Sequence, residues 1–529
     1  MVLKNKIYDY LKNNWWVYAL LLCFGMIVYA PAIIDELPNP DALWTGTLYK
    51  DSYTWELSLG RYMIWFWQKL FSYNISTTFN TILAIAVWIV TVQLLFDAIG
   101  LEGGLYRVIA GCLMLISPFM QGGVTYYYCF AYYVIAGLFA AIALCLANLE
   151  IADKKIKVIL DMLGIVLWSF SLATYQAFLG LYISVCAIAI IVKILDSNNV
   201  AADIVRRIFH YFFVFVGGVL LYLITNKFVL LANGIQAEES RGFSRMGQLM
   251  LGQLVSGIVR SYKVFVDYFF GNGMINNAYG VLISRRSINI AFFIILAVVF
   301  LVRMISVKRE YLFKIFAVIL FIMLPMFLFS IVILAPTVSV YATTGPIMLP
   351  ATNMIYIFLF ALISKMENGR VIKCLGVIVS ALVLGMLLQL NNDSLNYLKF
   401  HMNQMEYLSF DISTAIEKNM NFDEAHKICI IGRAGNGNYS DCREEIKDSI
   451  KWTTASYGTI WNDFYGTQGC WRSFMNNYLG TDYVECNIDE YHELIAKYDI
   501  TQMPVFPADG SVKYMDGIAV VKLSDDLWE

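Results

Sequence analysis

The hydrophobic pattern divides this chain near residue 391. Before that point, roughly eleven apolar stretches are separated by polar segments, and a bilayer-crossing helix needs about 20 predominantly apolar residues. They run from Trp15 to Ile34, Thr81 to Leu95, Val108 to Phe119, Tyr127 to Leu149, Val158 to Leu172 and Phe178 to Leu195, then Ile208 to Leu231, Ile288 to Ile305, Leu312 to Leu334, Ala351 to Ile363 and Val371 to Leu390. Lys4, Lys6 and Lys12 precede the first stretch, and Ala30 and Ala32 mimic the small residues of a cleavage site. The run is nevertheless longer than a signal-peptide core and further spans come after it, which predicts an uncleaved first helix. Pro325 lies inside the ninth stretch and predicts a kink there.

Two of the polar segments are long and carry amphipathic runs. The first continues through RYMIWFWQKLFSYN, whose Trp65, Trp67 and Tyr73 suit a helix at a membrane interface. The second, about residues 233–287, sets Met246, Leu249, Met250, Leu254 and Ile258 at helical spacing. After residue 391 the pattern changes to a helix near Leu395 to Asn419, a buried-strand run KICIIG, a polar helix-like run around Arg443 to Thr454 and a closing strand DGIAVVKLS. The expected fold is therefore an all-α polytopic membrane domain over residues 1–391 with a small α/β domain over 392–529.

Composition agrees, with 59% hydrophobic and 15% charged residues and a mean hydropathy of +0.62, too apolar for a soluble globular chain. The net charge of −2 is unevenly divided: from Asn392 onward there are 11 Lys and Arg against 22 Asp and Glu, leaving the membrane part at +9 and the tail at −11. The short loops with Arg107, Lys154, Lys155, Lys157, Arg206, Arg207, Lys308, Arg309, Lys365, Arg370 and Lys373 all fall on one face of the expected topology. The positive-inside rule makes that face cytoplasmic, and an odd number of spans then puts the tail outside. The ten cysteines show no CxxC spacing and the four histidines no metal spacing. GRAGNGN lacks both GxGxxG and a P-loop lysine, which argues against nucleotide binding. Membrane lipids are expected partners and nucleic acid is not.

The chemistry concentrates in the first outer loop, where Asp35, Glu36, Asp41, Asp51 and Glu56 crowd beside Trp44, Tyr49, Tyr53 and Trp55. Moving a sugar from a lipid phosphate to a hydroxyl needs a carboxylate to take the hydroxyl's proton. The departing phosphate needs positive charge. Lys227, Arg241, Arg245, Arg260, Lys263, Arg285 and Arg286 supply that charge in or beside the second outer loop, and Arg61 supplies it in the first. The same cations also suit simple anchoring to lipid head groups. TYYYCFAYY and ATYQAF place tyrosines, with Tyr175 and Gln176 among the polar residues, near the outer ends of their helices. Aromatic packing accounts for most such tyrosines, whereas Gln176 needs a polar partner at that depth.

The loop NPDALWTGTLYKDSYTWELSLGRYM, the turn ATYQAF and the closing MPVFPADGSVKYMDGIAVVKLS resemble the bacterial membrane glucosyltransferases of O-antigen serotype conversion and their relatives that decorate cell-wall polysaccharides. That resemblance implies a GT-C glycosyltransferase in the bacterial cytoplasmic (inner) membrane, with its C-terminal domain extracytoplasmic. It implies a polyprenyl-phosphate sugar as donor, a polysaccharide acceptor and inversion at the anomeric carbon. It also implies a first-loop acid as base, with Asp41 favoured and Asp35 and Glu36 as rivals; Arg61, Tyr175, Gln176, Arg241, Arg245 and Arg285 are the expected substrate contacts. No cofactor is certain, and a divalent metal is left open because members of the class differ. A non-enzymatic flippase or exporter of lipid-linked sugars is the alternative. It would call for inverted repeats and broken helices with polar midplane residues, which the sequence does not display.

Overall fold

The computed structural model describes residues 2–45, 53–71, 76–196, 200–238, 251–271, 284–335, 345–367, 369–419, 427–433 and 463–528, together with residues 450, 452, 453, 455 and 460. Helix α1 (Val2–Val28) leads into four short helices of the first long loop, α2 (Ala30–Ile34), α3 (Pro40–Thr45), α4 (Tyr53–Ser58) and α5 (Tyr62–Leu70). Next in order are α6 (Thr77–Ile99), α7 (Gly104–Leu115), α8 (Pro118–Gly123), α9 (Phe130–Asn148), α10 (Lys154–Thr174), α11 (Phe178–Ile194) and α12 (Ala201–Asn233). The remaining helices of this part are α13 (Leu251–Phe270), α14 (Arg285–Ser306), α15 (Tyr311–Leu328), α16 (Ile331–Leu334), α17 (Met354–Ser364) and α18 (Arg370–Asn419).

Seven of these, α6, α9, α10, α12, α14, α15 and α18, are long and apolar enough to cross a membrane, while α1, α7, α11 and α17 carry shorter apolar runs. The protein is a mainly helical membrane protein. Helices α6, α9 and α11 are largely buried, α10 is half-buried, and α12 and α15 turn most of their apolar surface outward. Pro325 does not break the ninth stretch where it stands. The helix continues through it to Leu328 and ends at Phe329, whose N–H still reaches the Pro325 carbonyl at 3.2 Å; the short, buried α16 comes directly after.

Loops that the charge pattern assigns to one face are joined physically. Lys365 pairs with Glu102, and Arg303 donates to the carbonyls of Lys365 and Leu195. Arg309 reaches the Asp196 carbonyl at 2.8 Å, and Glu150 accepts from Lys193 and Arg207 at 2.8 and 2.9 Å. The Lys193 hydrogen bond holds the Glu150 carboxyl below its ordinary value, helped by Arg207. A carboxylate depressed by folding stabilises above its unfolded value, about 4.3, and that stabilisation is lost as the pH falls through the folded value. Because the Glu150 side chain is 61% exposed, Glu150→Gln is expected to lower stability by less than about 1 kcal/mol. The loss should register in thermal melts at pH 7 and vanish at pH 3.

Helix α18 has 50 residues, about 75 Å at 1.5 Å per residue, and it runs without interruption through positions 391 and 392. Its first half is apolar. Its second half buries Leu395, Leu398, Met402, Met405, Leu408, Ile412 and Ile416, a three-and-four spacing that keeps one stripe against the tail. The tail is a four-stranded sheet ordered β2 (Val484–Glu485), β1 (Lys427–Ile431), β4 (Ile518–Lys522), β3 (Val512–Met515). Strand β1 pairs in parallel with both neighbours, and β3 closes antiparallel on β4. The strand runs KICIIG and DGIAVVKLS are thus β1 and β4. The polar run Arg443 to Thr454 lies mainly outside the described residues, as do Met246, Leu249 and Met250 of the second long loop.

Among the described residues of the tail, two α-helices accompany the sheet, α19 (Phe464–Phe474) and α20 (Ile488–Lys497). Asn487 and Glu490 form a capping box that starts α20. Gln468 of α19 hydrogen-bonds both the N–H and the carbonyl of Ile430, fixing α19 to the central strand. Buried side chains of β1, β4 and α19 join the same hydrophobic core as the membrane helices. The tail therefore sits directly on the helical part.

Candidate active site

The chain leaves α2 through Asp35 and Glu36, and Glu36 takes a positive φ of 46°, which turns the backbone back toward the helices. Pro38 and Pro40 stiffen the next few residues. Between them Asn39, fully buried, does three things at once. Its Oδ1 accepts from the Ala42 N–H at 2.9 Å and caps α3; its Nδ2 donates to Thr125 Oγ1 at 3.0 Å; its backbone N–H donates to the Thr125 carbonyl at 3.2 Å. The first loop is thereby stitched to the segment between α8 and α9.

That stitching brings Asp41, in the first turn of α3, against Tyr126, whose hydroxyl donates to Asp41 Oδ2 at 2.9 Å. Burial pushes the Tyr126 phenol well above its ordinary value, and the Asp41 charge pushes it further, so the group stays a donor to the carboxylate. Overhead lies α19. Ser473 Oγ donates to the Trp44 carbonyl at 3.0 Å, and at Gly469 a Cβ would come within 2.5 Å of Trp44 Nε1. Any side chain at this position would push against the Trp44 indole, so glycine suits the close approach of α19 to α3.

The second cluster centres on Arg61, 5% exposed. Its Nη1 lies 3.3 Å from Glu56 Oε2 and 3.1 Å from the Tyr133 hydroxyl, and its guanidinium stands 5.0 Å from the Tyr175 ring centroid. Tyr133 and Tyr175 stack at 4.0 Å with planes 11° apart. The turn just before Arg61 is equally constrained. Gly60 has φ +76°, and a Cβ there would meet the Tyr222 hydroxyl at 2.4 Å. Gln176 Nε2 donates to the Leu59 carbonyl at 2.7 Å and to the Tyr222 hydroxyl at 2.9 Å. Its Nε2 is thus engaged by the loop and by α12, which holds Gln176 against the Gly60–Arg61 turn.

The other residues singled out in the sequence lie apart from this group. Asp35 pairs with Lys399 of α18 at 2.6 Å, and Glu36, exposed, accepts from Thr77 Oγ1 at 3.1 Å. Arg285 pairs with Asp393 at 3.2 Å where α14 meets α18. Arg241 and Arg245 lie outside the described residues. Asp41 and Tyr126 thus form one pair, and Arg61, Glu56, Tyr133 and Tyr175 a second cluster, while Asp35 and Arg285 are each engaged by α18. Sequence reading assigned no role to Glu56, Tyr126 or Lys399. The spacing of Glu56 and Arg61, acid and base five apart across a glycine, was the available signal for the first. Among the described residues, no group of three or more His, Cys, Asp or Glu is placed to hold a metal ion.

A membrane-helix bundle with two carboxylates, one of them paired with a buried arginine, and several tyrosines beside a folded tail has the parts of a membrane-embedded group-transfer enzyme. The family model for Glucosyl transferase GtrII matches residues 47–362, more than half of the chain. The protein belongs to that family and is a glucosyltransferase, with a sugar donor and a polysaccharide acceptor as the partners this activity implies. No curated protein and no solved structure matches the chain. The matched region contains Glu56, Arg61, Tyr133, Tyr175 and Gln176, and it starts just beyond Asp41.

Proposed function

We propose that the protein moves glucose from a polyprenyl-phosphate-linked donor onto a cell-surface polysaccharide at the outer face of a bacterial cytoplasmic membrane, as an inverting transferase of the GT-C type. Asp41 is the base. It takes the proton of the acceptor hydroxyl as that oxygen bonds to the anomeric carbon, and the carbon–oxygen bond to phosphate breaks with its electron pair leaving on the polyprenyl phosphate. Attack opposite the departing phosphate inverts the anomeric centre.

The observation that carries this reading is the Asp41–Tyr126 hydrogen bond beneath α19. Of the three first-loop acids proposed as bases, Asp35 is matched by a lysine and Glu36 is exposed, whereas Asp41 is half-buried and oriented by a phenol. Glu56 is matched by Arg61, so its charge serves the loop's own geometry. The membrane part, residues 1–391, would supply donor binding and catalysis. The tail, residues 392–529, would lie outside the cell and close the site over the acceptor. Clustering of the basic loops at the opposite end of the bundle supports that orientation.

The test uses purified full-length protein in lipid nanodiscs with radiolabelled polyprenyl-phosphate glucose, UDP-glucose and candidate cell-surface polysaccharides. The expected result is transfer from the lipid donor alone, with NMR of the product giving the anomer opposite to that of the donor. Transfer from UDP-glucose in the absence of lipid donor, or a product of retained configuration, would contradict the proposal.

A further inference from the structure

Where the first loop docks on the outer end of α12, it encloses a cavity of about 320 Å³ lined by Gly60, Tyr222, Asn226, Lys227, Leu231 and Ile235, among others. The docking contacts are specific: Tyr62 and Thr225 share a hydroxyl hydrogen bond of 2.7 Å, and the Glu238 N–H donates to the Ser58 carbonyl at 2.9 Å. The cavity's chemistry is divided. Lys227 brings an ammonium that forms no ion pair with any described carboxylate, and Asn226 Oδ1 is buried with no hydrogen-bond partner among the described residues. Leu223, Leu230 and Leu231 form the apolar side.

That apolar side opens onto lipid. Leu223 and Leu231 line the cavity and are also exposed, and they continue into the bare face of α12 that carries Ile224 and Phe228. A cavity with a cation, a buried unsatisfied amide and a wall continuous with the lipid-facing surface suits an amphiphile that enters sideways from the bilayer. Its tail would lie along α12 and its charged head would meet Lys227. The cation of the neighbouring cluster is already matched, Arg61 by Glu56.

Resting on the function proposed above, we propose that this cavity is the docking site for the phosphate and first isoprenoid units of the lipid donor. Lys227 contacts the phosphate through a charge-assisted hydrogen bond, and the Asn226 carboxamide hydrogen-bonds the head group beside it. Gly60 forms the wall shared with the Arg61 turn, so a donor seated here lies next to the Arg61 cluster described above.

The experiment measures binding of a long-chain polyprenyl phosphate and of the neutral polyprenol of equal length to the full-length protein in nanodiscs, by native mass spectrometry. Wild-type protein should prefer the phosphate. Lys227→Met should weaken phosphate binding about ten- to a hundredfold, the range for loss of a charge-assisted hydrogen bond, and leave polyprenol binding unchanged. Lys227→Arg should retain the preference, and Asn226→Asp, which adds a negative charge to the cavity, should reduce it. Wild-type protein that does not distinguish the two lipids, or Lys227→Met with undiminished preference, would overturn the assignment. Phosphate-selective binding lost in Lys227→Met, in a protein that transfers no glucose from the lipid donor, would support the site while removing the function proposed above.

Discussion

Asp41→Asn should lower glucosyl transfer by about 10²- to 10⁴-fold, the contribution of a positioned general base, without disturbing the fold. The asparagine Oδ1 can still accept from the Tyr126 hydroxyl, which lies 2.9 Å from Asp41 Oδ2 in the wild type. What it loses is the capacity to take a proton. Asp35→Asn removes one partner of a partly exposed ion pair with Lys399, and Glu36→Gln alters an exposed side chain beside Thr77. Surface ion pairs contribute about 0 to 1 kcal/mol, so neither change should lower the rate more than a few-fold. Initial rates with the lipid donor, compared across the three variants at equal protein and matched thermal stability, check the ranking. A slow Asp35→Asn beside a fully active Asp41→Asn would move the base to Asp35.

The second large effect falls on stability. Arg61→Met leaves the Glu56 carboxylate, 6% exposed, without its 3.3 Å partner, and it removes the cation from between Glu56 and the Tyr133–Tyr175 stack. Stranding one member of a buried pair costs about 3 to 5 kcal/mol. Arg61→Lys should recover little, because a lysine ammonium cannot hold the carboxylate and the tyrosine hydroxyl with a planar fork while lying over a ring. Adding Glu56→Gln to Arg61→Met should restore part of the loss by removing the stranded charge. Denaturant unfolding of the four proteins in detergent gives the comparison; if Arg61→Met alone were as stable as wild type, Arg61 would not be holding the loop together.

Asp41 was legible in the sequence as a candidate through its proline-stiffened loop, and the aromatic cluster around Arg61 through TYYYCFAYY and ATYQAF. The apolar blocks announced the membrane helices, because lipid exposure demands long runs that no other context requires, and KICIIG and DGIAVVKLS announced the tail strands. What could not be read were pairings between distant segments. Asp393 meets Arg285 across 108 positions and Lys399 meets Asp35 across 364, and only packing of α18 against α14 and the first loop creates them. Gln176 illustrates the same limit from the other side. Its need for a partner was evident from its depth, but the partners are Leu59 and Tyr222, within the protein. The contact of α19 with α3 rests on Gly469, which in sequence is one glycine among 35.

The tail's position carries a functional consequence of its own. On the proposed function, with Asp41 as base, the α19–α3 contact through Trp44 and Ser473 would bring an acceptor polysaccharide against the tail.

The most direct measurement is a cryo-EM reconstruction of Asp41→Asn protein in nanodiscs with bound polyprenyl-phosphate glucose, the substitution being chosen to stop turnover. The glucose ring is expected beneath α19, with its anomeric carbon facing position 41 and its ring near the Tyr126 and Tyr175 side chains. Glucose density at the end of the bundle where Glu102 meets Lys365, or outside the space between α3 and α9, would contradict the assignment of Asp41 as the base.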